Sequence, residues 1–189
     1  TAFADLLRGK GADVVVEGAD YEASMTAAAN AAEANGWRLL SDGTWEGYNG
    51  GVDVMEGYLA MAEEAAAQIP TPPTHIFLQA GVGGLAAACA AYARRVWGTT
   101  AEGGPIITVV EPDQAETLLR SIAAGAPTHA AGDVSSMGRL DCKDPSHVAL
   151  KGLARDADHF MSLPDSAVEA AIEELSAHNL ATSPAGGAG

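Results

Sequence analysis

The sequence predicts an α/β domain: an open, twisted, mostly parallel sheet with helices on both faces. Short apolar runs rich in β-branched residues, such as HIFLQ at 75–79 and IITVV at 106–110, alternate with Ala-rich segments of helical length, the order that βαβ units impose. Glycines and prolines stand at the joins, and no segment repeats at a fixed period.

The elements follow in order. The opening residues read as the tail of a helix. Gly9 and Gly11 then punctuate the start of a strand at 12–17, ADVVVE. From Tyr21 to Asn35 an Ala-rich segment with few β-branched residues predicts a helix, and Asn35-Gly36 supplies a left-handed stop. A second strand is expected at 37–41, which completes a βαβ unit. DGTWEGYNGG at 42–51 is a loop with clustered aromatics. Asp53 is the expected cap of a helix running to Gln68, on which Val54, Tyr58, Met61 and Ala65 share a face. Pro70, Pro72 and Pro73 end it. Then come a strand at 74–79, a glycine turn at 81–84 and a helix at 85–97, followed by a polar connection and a strand at 105–111. A helix is expected at 114–124, stopped by Gly125. Residues 126–144 lack any period and read as a long functional or flexible loop. A helix at 145–155, a strand at 159–163 and a helix at 164–178 close the series. Both ends read as cut: no initiator Met is present and the last residues trail off in a small-residue stretch, so a piece of a larger protein is expected.

Charge and composition exclude several function classes. A formal net charge of -15 repels phosphate backbones and anionic lipid, which argues against nucleic-acid partners. No apolar run approaches the ~20 residues of a membrane helix. Two cysteines, Cys89 and Cys142, make neither a disulfide framework nor a four-ligand zinc pattern, and point to a reducing, cytoplasmic setting. The five histidines have no metal-ligand spacing, so no metal site is expected. Cys89 reads as a small core residue, and the absence of G-x-S-x-G removes support for a hydrolase nucleophile.

The sharpest chemical feature is the strand-to-helix junction QAGVGGL at 79–85. Three glycines without Cβ atoms, free amides and a helix N-terminus suit an anion. The same glycines also suit a tight, closely packed turn. Ala86 stands where a dinucleotide fingerprint needs Gly, and no Gly-Lys-Ser/Thr follows, so a ligand with a single phosphate remains. No Lys or Arg lies in the turn, which leaves the binding to amides. The loop at 42–48 follows an expected strand end, where open α/β sheets bind ligands. Asp42 suits an amine there, or simply a turn, and Trp45 and Tyr48 suit anchors for the loop.

Taken together, DGTWEGY at 42–48, MEGY at 55–58, QAGVGGL at 79–85, VEPD at 110–113 and MGRLDC at 137–142 resemble the fold-type II pyridoxal-phosphate enzymes, the tryptophan synthase β-like family, and within it the diaminopropionate ammonia-lyases. The resemblance implies a pyridoxal 5'-phosphate whose phosphate sits on Gly81, Val82, Gly83, Gly84 and Leu85. It implies an α,β-elimination on 2,3-diaminopropionate giving pyruvate and ammonia. Asp42 becomes the candidate contact for the substrate amine, and Gly138 resembles the residue packed beside the cofactor ring. Thr182-Ser183-Pro184-Ala185-Gly186 resembles a family motif with Ser183 in place of Glu. Residues 1–50 correspond to the C-terminal βαβ part of a smaller domain and 51–189 to the larger phosphate-binding domain, in a parent expected to be a homodimer. The family's Schiff-base lysine lies on an earlier segment; Lys10, Lys143 and Lys151 do not stand in its context. A threonine or serine dehydratase, or a non-catalytic phosphate-ligand-binding piece, are the alternatives.

Overall fold

The computed structural model describes residues 2–19 and 21–189. The chain divides into two compact units, Thr1–Leu39 and Leu40–Gly189, each taken by itself. No described helix is long and apolar enough to cross a membrane.

The first unit holds helices α1 (Ala2–Gly9) and α2 (Tyr21–Asn35), the latter ending where Asn35-Gly36 predicts, with Gly36 at φ 67°. The strands expected on either side of α2 do not form. Among the described residues no ladder includes 12–17 or 37–41, so the expected βαβ unit is absent. The reason is pairing: β-branched propensity acts by packing against neighbouring strands, and none is placed here to receive it. Val15 and Val16 are accordingly 80% and 78% exposed.

The second unit is the α/β body. Strands β1 (His75–Gln79), β2 (Ile106–Pro112) and β3 (His159–Leu163) form a parallel sheet in the order β1-β2-β3, with Gln79 opposite Val110 and Val110 opposite Met161. β2 is central and buried along nearly its whole length, as a continuous apolar run requires of an inner parallel strand. Helices α3 (Gly51–Gln68), α4 (Gly84–Trp97), α5 (Thr117–Ala124), α6 (His147–Asp156) and α7 (Asp165–Ala177) complete the unit. The main core joins Met55 of α3, Ala86, Ala87, Ala90 and Ala93 of α4, Ile107 and Val109 of β2, Leu118 of α5, and Leu150 and Leu153 of α6. The alanines let α4 lie close to its neighbours, which is why so many small residues occupy one helix.

Several boundaries depart from expectation, α6 for one beginning at His147 rather than 145. α3 begins at Gly51 rather than being capped by Asp53, because Gly51 is buried against the carbonyl of Gly43 and starts the helix earlier; Asp53 lies in the first turn, where its charge complements the dipole. At 113–116, Asp113–Ala115 make a single 3-10 turn, and α5 starts only at Thr117.

A fully buried carboxylate sets that start. Glu111, at the end of β2, accepts the amides of Leu118 at 2.7 Å and Leu119 at 2.8 Å, capping α5 from a distance. The long loop after α5 is irregular but tied down. The Lys143 ammonium donates to the carbonyls of Gln114 and Asp133, both at 2.9 Å. Asp165 accepts from Ser135 Oγ at 2.6 Å and the Ser136 amide at 2.7 Å, and these bonds hold its carboxyl below the usual carboxylate range.

Burial pushes the Glu111 carboxyl from 4.5 up to about 7, against the opposing effect of the amides it accepts. The folded state therefore binds this proton more tightly than the unfolded chain does. Its contribution, about 3 kcal/mol at most from a gap of this size, is full below about 4.5 and lost as pH rises through about 7. Urea unfolding at pH 5 and pH 8 is expected to show the native chain losing stability across that interval, with the loss much reduced in Glu111→Gln.

Candidate functional site

The turn between β1 and α4 is the centre of the site. Ala80 extends the ladder by donating to Val110 O at 2.9 Å, and the chain then leaves the sheet. Gly83 takes the left-handed conformation, φ 99°, and precedes the first turn of α4, where Ala87 N–H returns to Gly83 O at 2.9 Å. Among the described residues, no protein acceptor takes the amides of Val82, Gly83, Gly84 or Leu85. These donors stand at a helix N-terminus, with Gly83 and Gly84 buried and Val82 and Leu85 half-buried.

These residues line a cavity of about 400 Å³, within the size range of small-ligand sites. Its wall also includes Asp42, Tyr58, Gln79, Arg139 and Ser183. The loop at 42–48, the β1–α4 turn and the end of the chain are therefore brought together as the sequence motifs suggest. Gly138 is not in the wall; its neighbours Arg139 and Leu140 are, and a Cβ at Gly138 would have nothing within 4 Å. Ser183 accepts the Gly186 amide on its hydroxyl at 3.1 Å, tying up its own turn.

The glycines also fit the tight, closely packed turn that the sequence allows. A Cβ at Gly81 would lie 3.0 Å from Cys142 Sγ and 3.2 Å from Arg139 O; at Gly83, 3.1 Å from Leu118 Cδ1; at Gly84, 3.3 Å from Met55 Cγ. Each first meets packed protein. The absent side chains let α3, α5 and the 139–142 segment close on the back of the turn, while its amides line the cavity.

The loop carrying Asp42 is built as a hairpin. Trp45 and Tyr48 exchange backbone hydrogen bonds of 3.1 and 3.0 Å across Glu46-Gly47, and their rings stack with centroids 4.3 Å apart. The Tyr48 hydroxyl accepts the Ser41 amide at 2.8 Å. Thr44, 2% exposed, binds the first turn of α6: its carbonyl accepts from His147 N at 2.9 Å and its hydroxyl from Val148 N at 2.9 Å. Ser146 N in turn donates to Val82 O at 2.9 Å. Sequence reasoning missed Thr44, Ser146, Tyr58 and Arg139 as members of the site. Thr44, Tyr58 and Arg139 lie within the motifs DGTWEGY, MEGY and MGRLDC without being singled out, and Ser146 stands just ahead of a helix.

Both cysteines are free thiols, and Cys142 packs against the glycine turn. Burial pushes the Cys89 thiol up, which disfavours the thiolate. Among the described residues no cluster of three or more His, Cys, Asp or Glu is placed to hold a metal ion.

A family model described as pyridoxal-phosphate dependent enzyme matches residues 1–189. The chain belongs to that family. Among curated relatives, the diaminopropionate ammonia-lyase of Escherichia coli strain K12 is 31% identical over 167 residues, 86% of this chain and 41% of that enzyme. The enzyme of the same name from Salmonella typhimurium is 32% identical over 170 residues, with the same coverages of 86% and 41%. The chain thus spans under half the length of the curated relatives it matches. The crystal structure of the Escherichia coli enzyme in complex with D-serine superposes with a TM-score of 0.82 at 28% identity, over 91% of this chain and 43% of that one. Threonine deaminase isoform 2 from Solanum lycopersicum shares the fold, with a TM-score of 0.83 at 19% identity over 97% of this chain and 50% of that one. The α/β body is therefore that of the fold-type II enzymes of this family.

Two glycine substitutions separate packing from tolerance. Gly83→Ala places a side chain at a left-handed position against Leu118 and Ala149, and thermal unfolding is expected to report a loss of about 2 kcal/mol or more. Gly138→Ala meets nothing and is expected to stay within about 0.5 kcal/mol of the native chain.

Proposed function

We propose that the chain is the cofactor-binding core of a pyridoxal-phosphate ammonia-lyase that eliminates ammonia from 2,3-diaminopropionate, with residues 51–189 as the larger domain and 1–50 as part of the smaller one. The observation that carries this is the set of amides at Val82, Gly83, Gly84 and Leu85, without protein acceptors, in the wall of a cavity that also presents Asp42. The donors suit a phosphate monoester: several convergent N–H groups at the start of a 14-residue helix favour a dianion without any lysine in the turn.

When bound, the cofactor supplies an electron sink for the charge left at the substrate α-carbon. The protein's part is placement. The turn amides hold the phosphate and so fix the cofactor at one end. Asp42 accepts hydrogen bonds from a substrate ammonium at the cavity wall, which orients an amino-substituted side chain and disfavours a hydroxyl one. Leu85 and Leu140 give the cavity apolar wall, which limits water near the reacting carbon. The relatives named diaminopropionate ammonia-lyase support this substrate over the threonine or serine dehydratase alternative, whose likeness is in fold alone.

Titration of the chain with pyridoxal 5'-phosphate and with pyridoxal tests the phosphate cradle. Pyridoxal is expected to bind at least about tenfold more weakly, and inorganic phosphate to compete with the phosphorylated form. Equal binding of the two overturns the assignment. In a protein carrying this chain together with the lysine-bearing segment, Asp42→Asn is expected to lower kcat/KM for 2,3-diaminopropionate about 100-fold, as read by pyruvate release. A preference for serine over diaminopropionate would favour the dehydratase reading.

A further inference from the structure

The loop bearing Asp42 and the glycine turn come from distant parts of the chain, and their relative position is held at one buried node. The Thr44 and Ser146 hydroxyl oxygens lie 2.8 Å apart, and the Thr44 amide donates to Ser146 Oγ at 3.1 Å. Thr44 also accepts the two amides that open α6, as described above. Both side chains are buried, at 2% and 1% exposure, so each bond is shielded from water. The roles are exchanged. Ser146 stands at the N-cap position of α6, yet its side chain makes no capping bond; the hydroxyl of Thr44, 102 residues earlier, accepts an α6 amide in its place. Ser146 is left free to face both ways, with its hydroxyl on Thr44 and its amide on Val82 O at 2.9 Å.

The path from Asp42 to the phosphate cradle is then short: two residues along the loop to Thr44, one hydroxyl pair to Ser146, one hydrogen bond to Val82. A second contact closes the loop onto the turn, since a Cβ at Gly84 would lie 3.5 Å from Asp42 O. Resting on the reading of the cavity given above, we propose that the Thr44–Ser146 hydroxyl pair is a positioning device that sets the Asp42 carboxylate at a fixed distance from the anion cradle, and so selects ligands that carry a phosphate at one end and an amine at the other. Thr44 touches neither ligand group. It acts through Asp42.

The test uses two probes on the chain: pyridoxal 5'-phosphate, which needs the cradle, and the stable borohydride-reduced conjugate of pyridoxal 5'-phosphate with 2,3-diaminopropionate, which spans cradle and Asp42. Thr44→Val keeps the shape and removes the hydroxyl. It is expected to weaken the conjugate about tenfold while changing pyridoxal 5'-phosphate less than about twofold, and Thr44→Ser is expected to restore the conjugate. Asp42→Asn should weaken the conjugate to a similar degree, and the Asp42→Asn/Thr44→Val double variant little further, because the two changes remove one function. Additive losses, equal losses on both probes, or no loss on either overturn the positioning role. Circular dichroism and thermal unfolding identify a variant that has simply lost α6, in which case Thr44→Ser decides: recovery of folding without recovery of conjugate binding also overturns it. If the native chain binds neither probe, the cavity reading itself fails, and this result is distinct from the variant outcomes.

Discussion

Hydrogen-bond donors in protein interiors are almost always satisfied, and the β1–α4 junction departs from that rule in a specific way. Four consecutive amides there, Val82 to Leu85, have no acceptor among the described residues, and they sit where a helix begins, so their partial charges add to its dipole. Everything around the junction is compatible with leaving them so. The glycines close their backs against α3, α5 and the 139–142 segment, the Ala-rich face of α4 seats that helix firmly in the core, and the cavity stands open on the amide side. In a chain whose overall charge is -15, such a place concentrates the attraction for an anion that the rest of the surface opposes.

Much of the α/β body was legible because its elements are encoded locally. α2 matches its expected span, β3 does as well, and the expected Gly125 stop closes α5. What the sequence could not reveal depends on partners far away in the chain. The valines at 14–16 have strand propensity but no strand to pair with. Glu111 reads as an ordinary acidic residue after a strand, and only the fold shows it capping a helix that begins several residues later. Thr44 gives no cap signal of its own because the helix it serves lies 102 residues downstream.

The cavity shows the same division. Asp42, the glycine turn and Ser183, each singled out from a motif, all line the cavity. Tyr58 was read as part of a motif and a helical stripe, and Arg139 as part of a motif, because neither pattern tells which residue reaches a cavity built from distant segments. Arg139, from another segment, lines the cavity beside a glycine turn that itself carries no basic residue.

The bare β-branched run of the first unit has a colloidal consequence. Val15 and Val16 stand almost fully in water on a backbone that no neighbouring strand pairs, an open template for intermolecular ladders. Mutual repulsion between copies of so acidic a chain opposes that encounter at low ionic strength. Added salt shortens the reach of that repulsion to about 10 Å at 0.1 M, which weakens the barrier to contact between such segments.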